Sequence, residues 1–339
     1  MIYNVALDIG TSGIRMALRG HGIVYRQSAA IALRGGHSIA TGNEALRLQS
    51  RTPHDISIRF PMQCGLVADE QALAHWLKHL VRHAQTGGLR GKPKILMAVP
   101  PTIQPAPLRL LVALALEAGA GACAAVRSDL AAAVGAPVDI YTTKCVLLCQ
   151  LGAGFTSVSA ICGGRVVVSR ALPFGMALVD QAIVRRLRKK YGLIVSAKGA
   201  EELKSLLASV GTASAPSASI AALDAKTGFP AHFEIESLDM KDAASPLLDQ
   251  LCELIYQVLV ALPPQLSADA ADAGLILTGG GAQLFGMVQR IADEFSLPCH
   301  LVEDPPGSVI RGLSHMLESR DRYDSLVISQ QNALQRSGE

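Results

Sequence analysis

The chain has 339 residues, 50% of them hydrophobic, 17% charged and 4% aromatic, which suffices for two domains and excludes a disordered or fibrous protein. Lys and Arg total 31 against 28 Asp and Glu, so the net charge of +3 gives no field that would argue for nucleic acid as a partner. The mean hydropathy of +0.31 points to apolar surface that meets a partner or a membrane, although the many Gly and Ala residues account for part of it. The seven cysteines (Cys64, Cys123, Cys145, Cys149, Cys162, Cys252 and Cys299) show no CxxC pair and no metal-ligand spacing, and are expected to be reduced core residues.

The start of the chain passes directly into Val5-Ala6-Leu7-Asp8, without the basic and apolar regions of a secretory signal, so a cytoplasmic protein is expected. Met1 to Leu18 reads as two strands joined by the turn Asp8-Ile9-Gly10-Thr11-Ser12-Gly13. Leu73 to His83 carries Leu73, Trp76, Leu77, Leu80 and Val81 at helical spacing, which makes it an amphipathic helix with Trp76 in the core. Lys94 to Val99 is a strand ended by Pro100-Pro101, and Leu108 to Ala118 a helix ended by Gly119. The longest apolar stretch, Leu110 to Val126, falls short of a membrane span and is interrupted by Glu117, Gly119 and Gly121.

The same grammar then repeats. Cys145 to Leu151 is a strand, Gly152-Ala153-Gly154 a turn, Thr156 to Cys162 a strand, and Gly163-Gly164 leads into Arg165 to Arg170. Two copies of strand, glycine turn and strand suggest a duplicated α/β domain with a cleft between the halves. Ser209 to Ser219 reads as a surface loop, and Ser319 to Glu339 as partly a polar tail. Leu275 to Thr278 is a strand running into Gly279-Gly280-Gly281-Ala282 and a helix over Leu284 to Phe295, a turn that lets a ligand approach backbone amides.

Asp8-x-Gly10-Thr11 at one hairpin, Gly152-Ala153-Gly154 at a second and Thr278-Gly279-Gly280-Gly281 later match in order the phosphate-1, phosphate-2 and adenosine elements of the actin, sugar-kinase and heat-shock-ATPase superfamily. Within it the chain resembles the MreB family of bacterial actins, from about Val5 to about Leu317. The stretches that carry the likeness are Phe60-Pro61 with Gly65 to Asp69, Val99-Pro100-Pro101, Ala115 to Ala120, Ala131 to Gly135, Arg188 to Tyr191, Ala200 to Lys204 and Glu303-Asp304-Pro305. The resemblance implies an actin-like ATPase fold: two ribonuclease-H-like domains, 1–141 and 142–311, each with a smaller outer subdomain (about 30–62 and 179–244), residues 312–328 returning to the first domain, and a polar tail at 329–339. ATP is expected in the central cleft. By the same resemblance Asp8 orients metal-bound water, and Gly10, Thr11, Ser12 and Gly13 bind phosphate. Gly152, Ala153, Gly154 and Thr156 form the second phosphate turn, and Glu201, Glu202, Lys204 and Gly279, Gly280, Gly281 and Ala282 hold ribose and adenine.

Three departures qualify that expectation. Where the family has an acid before the second phosphate turn, this chain has Gln150, so Mg²⁺ should be weakly held. Phe155 replaces a threonine and points either into the cleft or into the core. Where the family has the glutamates that position the attacking water, this chain has Arg127, Ser128 and Asp129, of which Asp129 would serve only if displaced along its helix, so hydrolysis should be slow or absent. No helix precedes Val5 to serve as a membrane anchor, which leaves Thr86 to Pro93, with Leu89 beside Arg90 and Lys92, as the candidate loop for the inner membrane surface, against a plain solvated turn. The resemblance thus implies a cytoskeletal protein that assembles into filaments and works with cell-wall synthesis and morphogenesis proteins. The alternative in the same fold is a non-polymerising pseudo-ATPase adaptor of a membrane-associated assembly.

Overall fold

A computed structural model describes residues 2–48, 55–136, 138–207, 217–284 and 286–335. Two larger sheets share one plan. In the first, the antiparallel meander Val5–Ile9, Gly13–Leu18 and Gly22–Ser28 is extended on the other side of Val5–Ile9 by the parallel strands Lys94–Val99 and Ala122–Arg127, with Val327–Ile328 at the edge. The second repeats this with Val146–Leu151, Thr156–Cys162 and Arg165–Leu172 as the meander and Leu275–Thr278 and Cys299–Leu301 as the parallel extension. The central strands explain themselves: Val-Ala-Leu-Asp-Ile and Val-Leu-Leu-Cys-Gln-Leu are buried on both faces, and each is polar only at its next-to-last residue.

Two helices lie between the sheets. Ser128–Gly135 and Ser308–Glu318 share one core with Ala6, Ala17, Leu96, Ala124 and Val126 of the first sheet and Leu148 and Ile161 of the second. The outer face of the first sheet is covered by Glu70–Thr86 and Pro105–Glu117, where Trp76 is fully buried and its indole N–H donates to the Ala29 carbonyl at 3.0 Å. The Glu70–Thr86 helix starts earlier than its apolar spacing suggested, because Asp69 caps it through the Ala72 amide.

Among the described residues there are also two three-stranded sheets and the short hairpin of Met62–Gln63 with Leu66–Val67. Ile31–Arg34, His37–Thr41 and Ile56–Arg59 pack on the Gly42–Leu48 helix, and Leu193–Ile194, Ala218–Asp224 and Pro230–Ile235 lie beside Met176–Tyr191 and Ala197–Leu207. The expected loop 209–219 falls mostly outside the described residues. Gln330–Gln335 forms a helix rather than a polar tail: Ala333 is buried in the first core and Gln330 accepts the Cys123 amide. Cys123, Cys145 and Cys149 are core thiols, whereas Cys64, Cys162, Cys252 and Cys299 are half-exposed, and all seven are unpaired. No helix among the described residues is long and apolar enough to cross a membrane.

Candidate functional site

The repeated plan places two equivalent positions face to face. Asp8 and Gln150 are each next to last in the central strand of their sheet, at the carboxyl ends where α/β sheets present ligands, and both line one small cavity of about 40 Å³. Gly10, Thr11, Met62, Gly65, Pro100, Ser128 and Phe155 complete most of its wall. By that measure the space holds a few waters. The two glycine turns touch: a Cβ on Gly154 would overlap the Thr11 hydroxyl and come within 2.9 Å of the Cys64 amide.

Each turn is fixed by its own backbone. Gly10 donates its amide to the Gly13 carbonyl at 2.9 Å, and the Ser12 carbonyl accepts the Ala29 amide at 3.0 Å. In the second turn Gly152 donates to the Phe155 carbonyl at 2.9 Å, while the Gly152 and Ala153 carbonyls accept the Met176 and Ala177 amides at 3.0 and 2.9 Å. The second turn is thereby bolted to the start of the Met176–Tyr191 helix, and Gly175 has no room for a side chain against it.

Phe155 points into the cleft. Its ring lines the cavity and stands 3.3 Å from where a Cβ on Gly65 would be. Gln150 is nearly buried, and its Oε1 accepts the Ser128 hydroxyl at 3.1 Å. Asp8 is paired with Arg15, its ladder partner across the hairpin, at 3.2 Å; burial raises the Asp8 pKa, and Arg15 opposes that only in part.

Asp129 is not available to polarise water. Its carboxylate is 1% exposed and accepts Arg127 Nε and Nη2 at 3.1 and 2.7 Å, Ser159 Oγ at 2.6 Å and the Leu130 amide at 2.9 Å. Its lone pairs are committed to structure, so neither it nor the half-exposed Arg127 offers a general base to the cleft.

The other expected residues do not line this cavity. Thr156 is fully buried, with no hydrogen-bond partner for its hydroxyl among the described residues, and does not line the cavity. Gly279, at φ +81°, lies against the Leu151 backbone and donates its amide to the Pro305 carbonyl at 2.9 Å. Gly280 is exposed, whereas Gly281 and Ala282 are buried; a Cβ on Gly281 would stand 2.7 Å from Met176 Cγ, so these two serve packing. Glu201 and Glu202 are exposed on the Ala197–Leu207 helix, while Lys204 is inward and paired with Asp180 at 2.8 Å. Leu89 of the candidate membrane loop packs against the first core, whereas Arg90 and Lys92 are exposed.

A glycine turn with hydroxyls, closed by a second glycine turn, suits phosphate oxygens. It suits a divalent metal poorly. Mg²⁺ favours carboxylate oxygens and water, yet the acid among the cavity's lining residues is Asp8, which is paired with Arg15, and Gln150 accepts from Ser128. Arg15 and Met62 escaped the sequence reading, and Gly65 and Pro100 entered it only as carriers of the resemblance, not as part of the site. The hairpin register alone, with Ile9 opposite Ile14, would have set Arg15 against Asp8.

Comparison with known proteins agrees with this fold. The cell shape-determining protein Mbl of Bacillus subtilis is 29% identical over 96% of this chain and 99% of its own length. The cell shape-determining protein MreB of Escherichia coli is 27% identical over 97% of both chains. The crystal structure of MreB5 of Spiroplasma citri bound to ADP superposes with a TM-score of 0.89 at 26% identity, covering 95% of this chain and 97% of that one. A MamK double helical filament shares the fold at a TM-score of 0.80 and 20% identity over 92% of this chain and 97% of its own. The model of the MreB/Mbl protein family matches residues 2–325, and the chain is accordingly an actin-like member of that family of cell-shape proteins.

Proposed function

We propose that this chain binds an adenine nucleotide between its two large sheets and polymerises into cytoskeletal filaments that direct cell-wall synthesis and cell shape, with slow or no hydrolysis. The observation that carries the reading is the meeting of the Asp8 to Gly13 turn with the Gly152 to Gly154 turn at the carboxyl ends of two equivalent strands. MreB5 of Spiroplasma citri has been solved with ADP and with AMPPNP, which supports an adenine nucleotide as the ligand. Asp8, Gly10, Thr11, Ser12 and Gly13 would meet the phosphates from one side and Gly152 to Gly154 from the other, with Gly279 and Gly280 and the Glu201, Glu202 and Lys204 helix toward ribose and base.

Slow hydrolysis follows from the committed Asp129 and from Ser128 being paired with Gln150. Self-association is supported by family membership and by apolar side chains left in solvent at two separate places. Tyr256 and Val260 are 57% and 65% exposed one helical turn apart, and in the sheet of Leu193–Ile194, Ala218–Asp224 and Pro230–Ile235 the ladder partners Ile194 and Leu223 are exposed, as is Phe229 just before its last strand. Cytoplasmic filaments working beside the inner membrane with wall-synthesis proteins fit this picture. Leu89 is spent on packing, so membrane contact through the 86–93 loop would be by its cations and by avidity.

The blocked chemistry also suits a non-polymerising adaptor, and sedimentation separates the two. Purified protein should pellet above a critical concentration, with filaments visible by negative stain in ATP, in ADP or without nucleotide. A chain that stays monomeric or dimeric in all three conditions, lipid included, is an adaptor instead.

A further inference from the structure

A cation stands at the edge of this site, paired with Asp8 and outside the lining of the cavity itself. On one face of the first sheet the ladder sets Asp8 opposite Arg15 and Arg15 opposite Arg26. Arg26 has its own acid, Asp304 at 2.7 Å, so the two guanidiniums do not compete for Asp8. Arg15 Nη1 is 3.2 Å from Asp8 Oδ2, and both its Nη atoms stand 3.7 Å from where a Cβ on Gly13 would be. The guanidinium therefore lies over the residue that closes the phosphate-1 turn. Its side chain is 22% exposed, and its hydrogen bond to Asp8 uses one of the several N–H donors a guanidinium carries. The Thr11 and Ser12 amides of the same turn make no backbone hydrogen bond among the described residues.

On the reading that this turn receives nucleotide, we propose that Arg15 is the resident counter-charge of the site, standing in for a divalent cation, so that the chain binds adenine nucleotide without metal. In the free chain Arg15 neutralises Asp8. With nucleotide present its remaining donors and the turn amides take phosphate oxygens. A planar guanidinium meets phosphate through paired, charge-assisted hydrogen bonds and needs no carboxylate cage, which matches a site where Gln150 has replaced an acid and Ser128 occupies that glutamine. Bound Mg²⁺ would instead compete with Arg15 for Asp8.

The test is calorimetric titration of the full chain with ATP and with ADP, in EDTA and in Mg²⁺, for wild type, Arg15→Lys and Arg15→Met. Wild type should show dissociation constants that agree within about threefold in the two buffers. Arg15→Met should bind about tenfold or more weakly in EDTA, the loss of one charge-assisted contact, and recover part of this in Mg²⁺ because Asp8 is then free. Arg15→Lys should lie between. Wild-type binding that requires Mg²⁺ overturns the inference while leaving the nucleotide reading intact, and needs no variant to fold. Arg15→Met that binds in EDTA as wild type does, with an unchanged melting temperature, also overturns it. Absence of binding to either nucleotide in both buffers removes the nucleotide reading and this inference with it.

Discussion

Gly135 and Gly312 bring two helices into backbone contact between the large sheets. A Cβ on Gly312 would overlap the Ala131 carbonyl oxygen, and one on Gly135 would overlap that of Ser308. The approach is reciprocal, and the obstacle on each side is main chain, which no rotamer change relieves. Gly312→Ala should therefore force the Ser128–Gly135 and Ser308–Glu318 helices apart and cost about 3 kcal/mol. Gly20→Ala is the control: its φ is +77° and nothing stands within 4 Å, so it should cost only the left-handed strain of about 1 kcal/mol. Urea unfolding of both variants checks the difference, and equal losses would show that the helices part freely.

Phe155 narrows the cleft where a phosphate would enter. Its half-buried ring faces Gly65 and Pro100, so Phe155→Thr should widen the cavity and lower stability by about 1–2 kcal/mol, less than the loss for a fully buried aromatic. The variant should gain affinity for ATP more than for ADP, because the longer phosphate chain needs more of the added room. Paired titrations read this directly, and an unchanged ratio of the two affinities would mean that the ring does not limit the site.

The repeated meander, the buried Trp76 and both glycine turns were legible in the chain itself, because alternation and turn chemistry are local signals. So was the glycine turn after Thr278. The pairing state of polar side chains was not. Asp129 reads in sequence as a displaced catalytic acid, and only the tertiary contacts with Arg127 and Ser159 show it consumed. Thr156 belongs to the family's motif by position, yet strand alternation turns it away from the cleft. Gly281 and Ala282 continue a ligand-binding pattern but are covered by packing against Met176 and the core.

Asp304 holds a left-handed backbone at φ +47° and joins the loop beside Gly279 to Arg26 of the first sheet. Asn tolerates that conformation whereas Ala does not. The ion pair is well exposed on both sides, so its charge should be worth well under about 1 kcal/mol. Asp304→Asn should then be nearly neutral, and Asp304→Ala should cost about 1 kcal/mol more through backbone strain. Chemical denaturation in low and high salt distinguishes them. A large, salt-sensitive loss in the Asn variant would show that the ion pair, not the turn, holds the halves together.

The cysteines divide by burial. Burial pushes the Cys123 thiol up to about 12 and that of Cys149 higher still, so neither forms thiolate near neutrality. A disulfide reagent at pH 8 should therefore react with no more than the four half-exposed thiols of the native chain, and with all seven after unfolding. Rapid labelling of Cys149 in the native state, read by peptide mass mapping, would show that the second core opens readily.

Asp8 gives the fold a particular dependence on pH. Burial raises its pKa above the ordinary carboxylate value of about 3.9, and Arg15 offsets this only in part. Between the ordinary value and the raised one the folded chain binds more protons than the unfolded chain, so stability falls as pH rises through that window. Above the window the deficit is constant; below about pH 4 it vanishes, since both states are then protonated. Asp8→Asn removes the buried charge, and Arg15 is open enough to be solvated in its place. The variant should accordingly melt higher than wild type at pH 7, and the gap should close on acidification. Melting curves from pH 3 to 8 test this, and a wild type that is the more stable at neutral pH would show that the Arg15 pair outweighs burial. The same variant separates the two roles open to Asp8: a residue that holds metal would take Mg²⁺-dependent affinity with it, whereas a residue that only restrains Arg15 leaves nucleotide binding in EDTA intact.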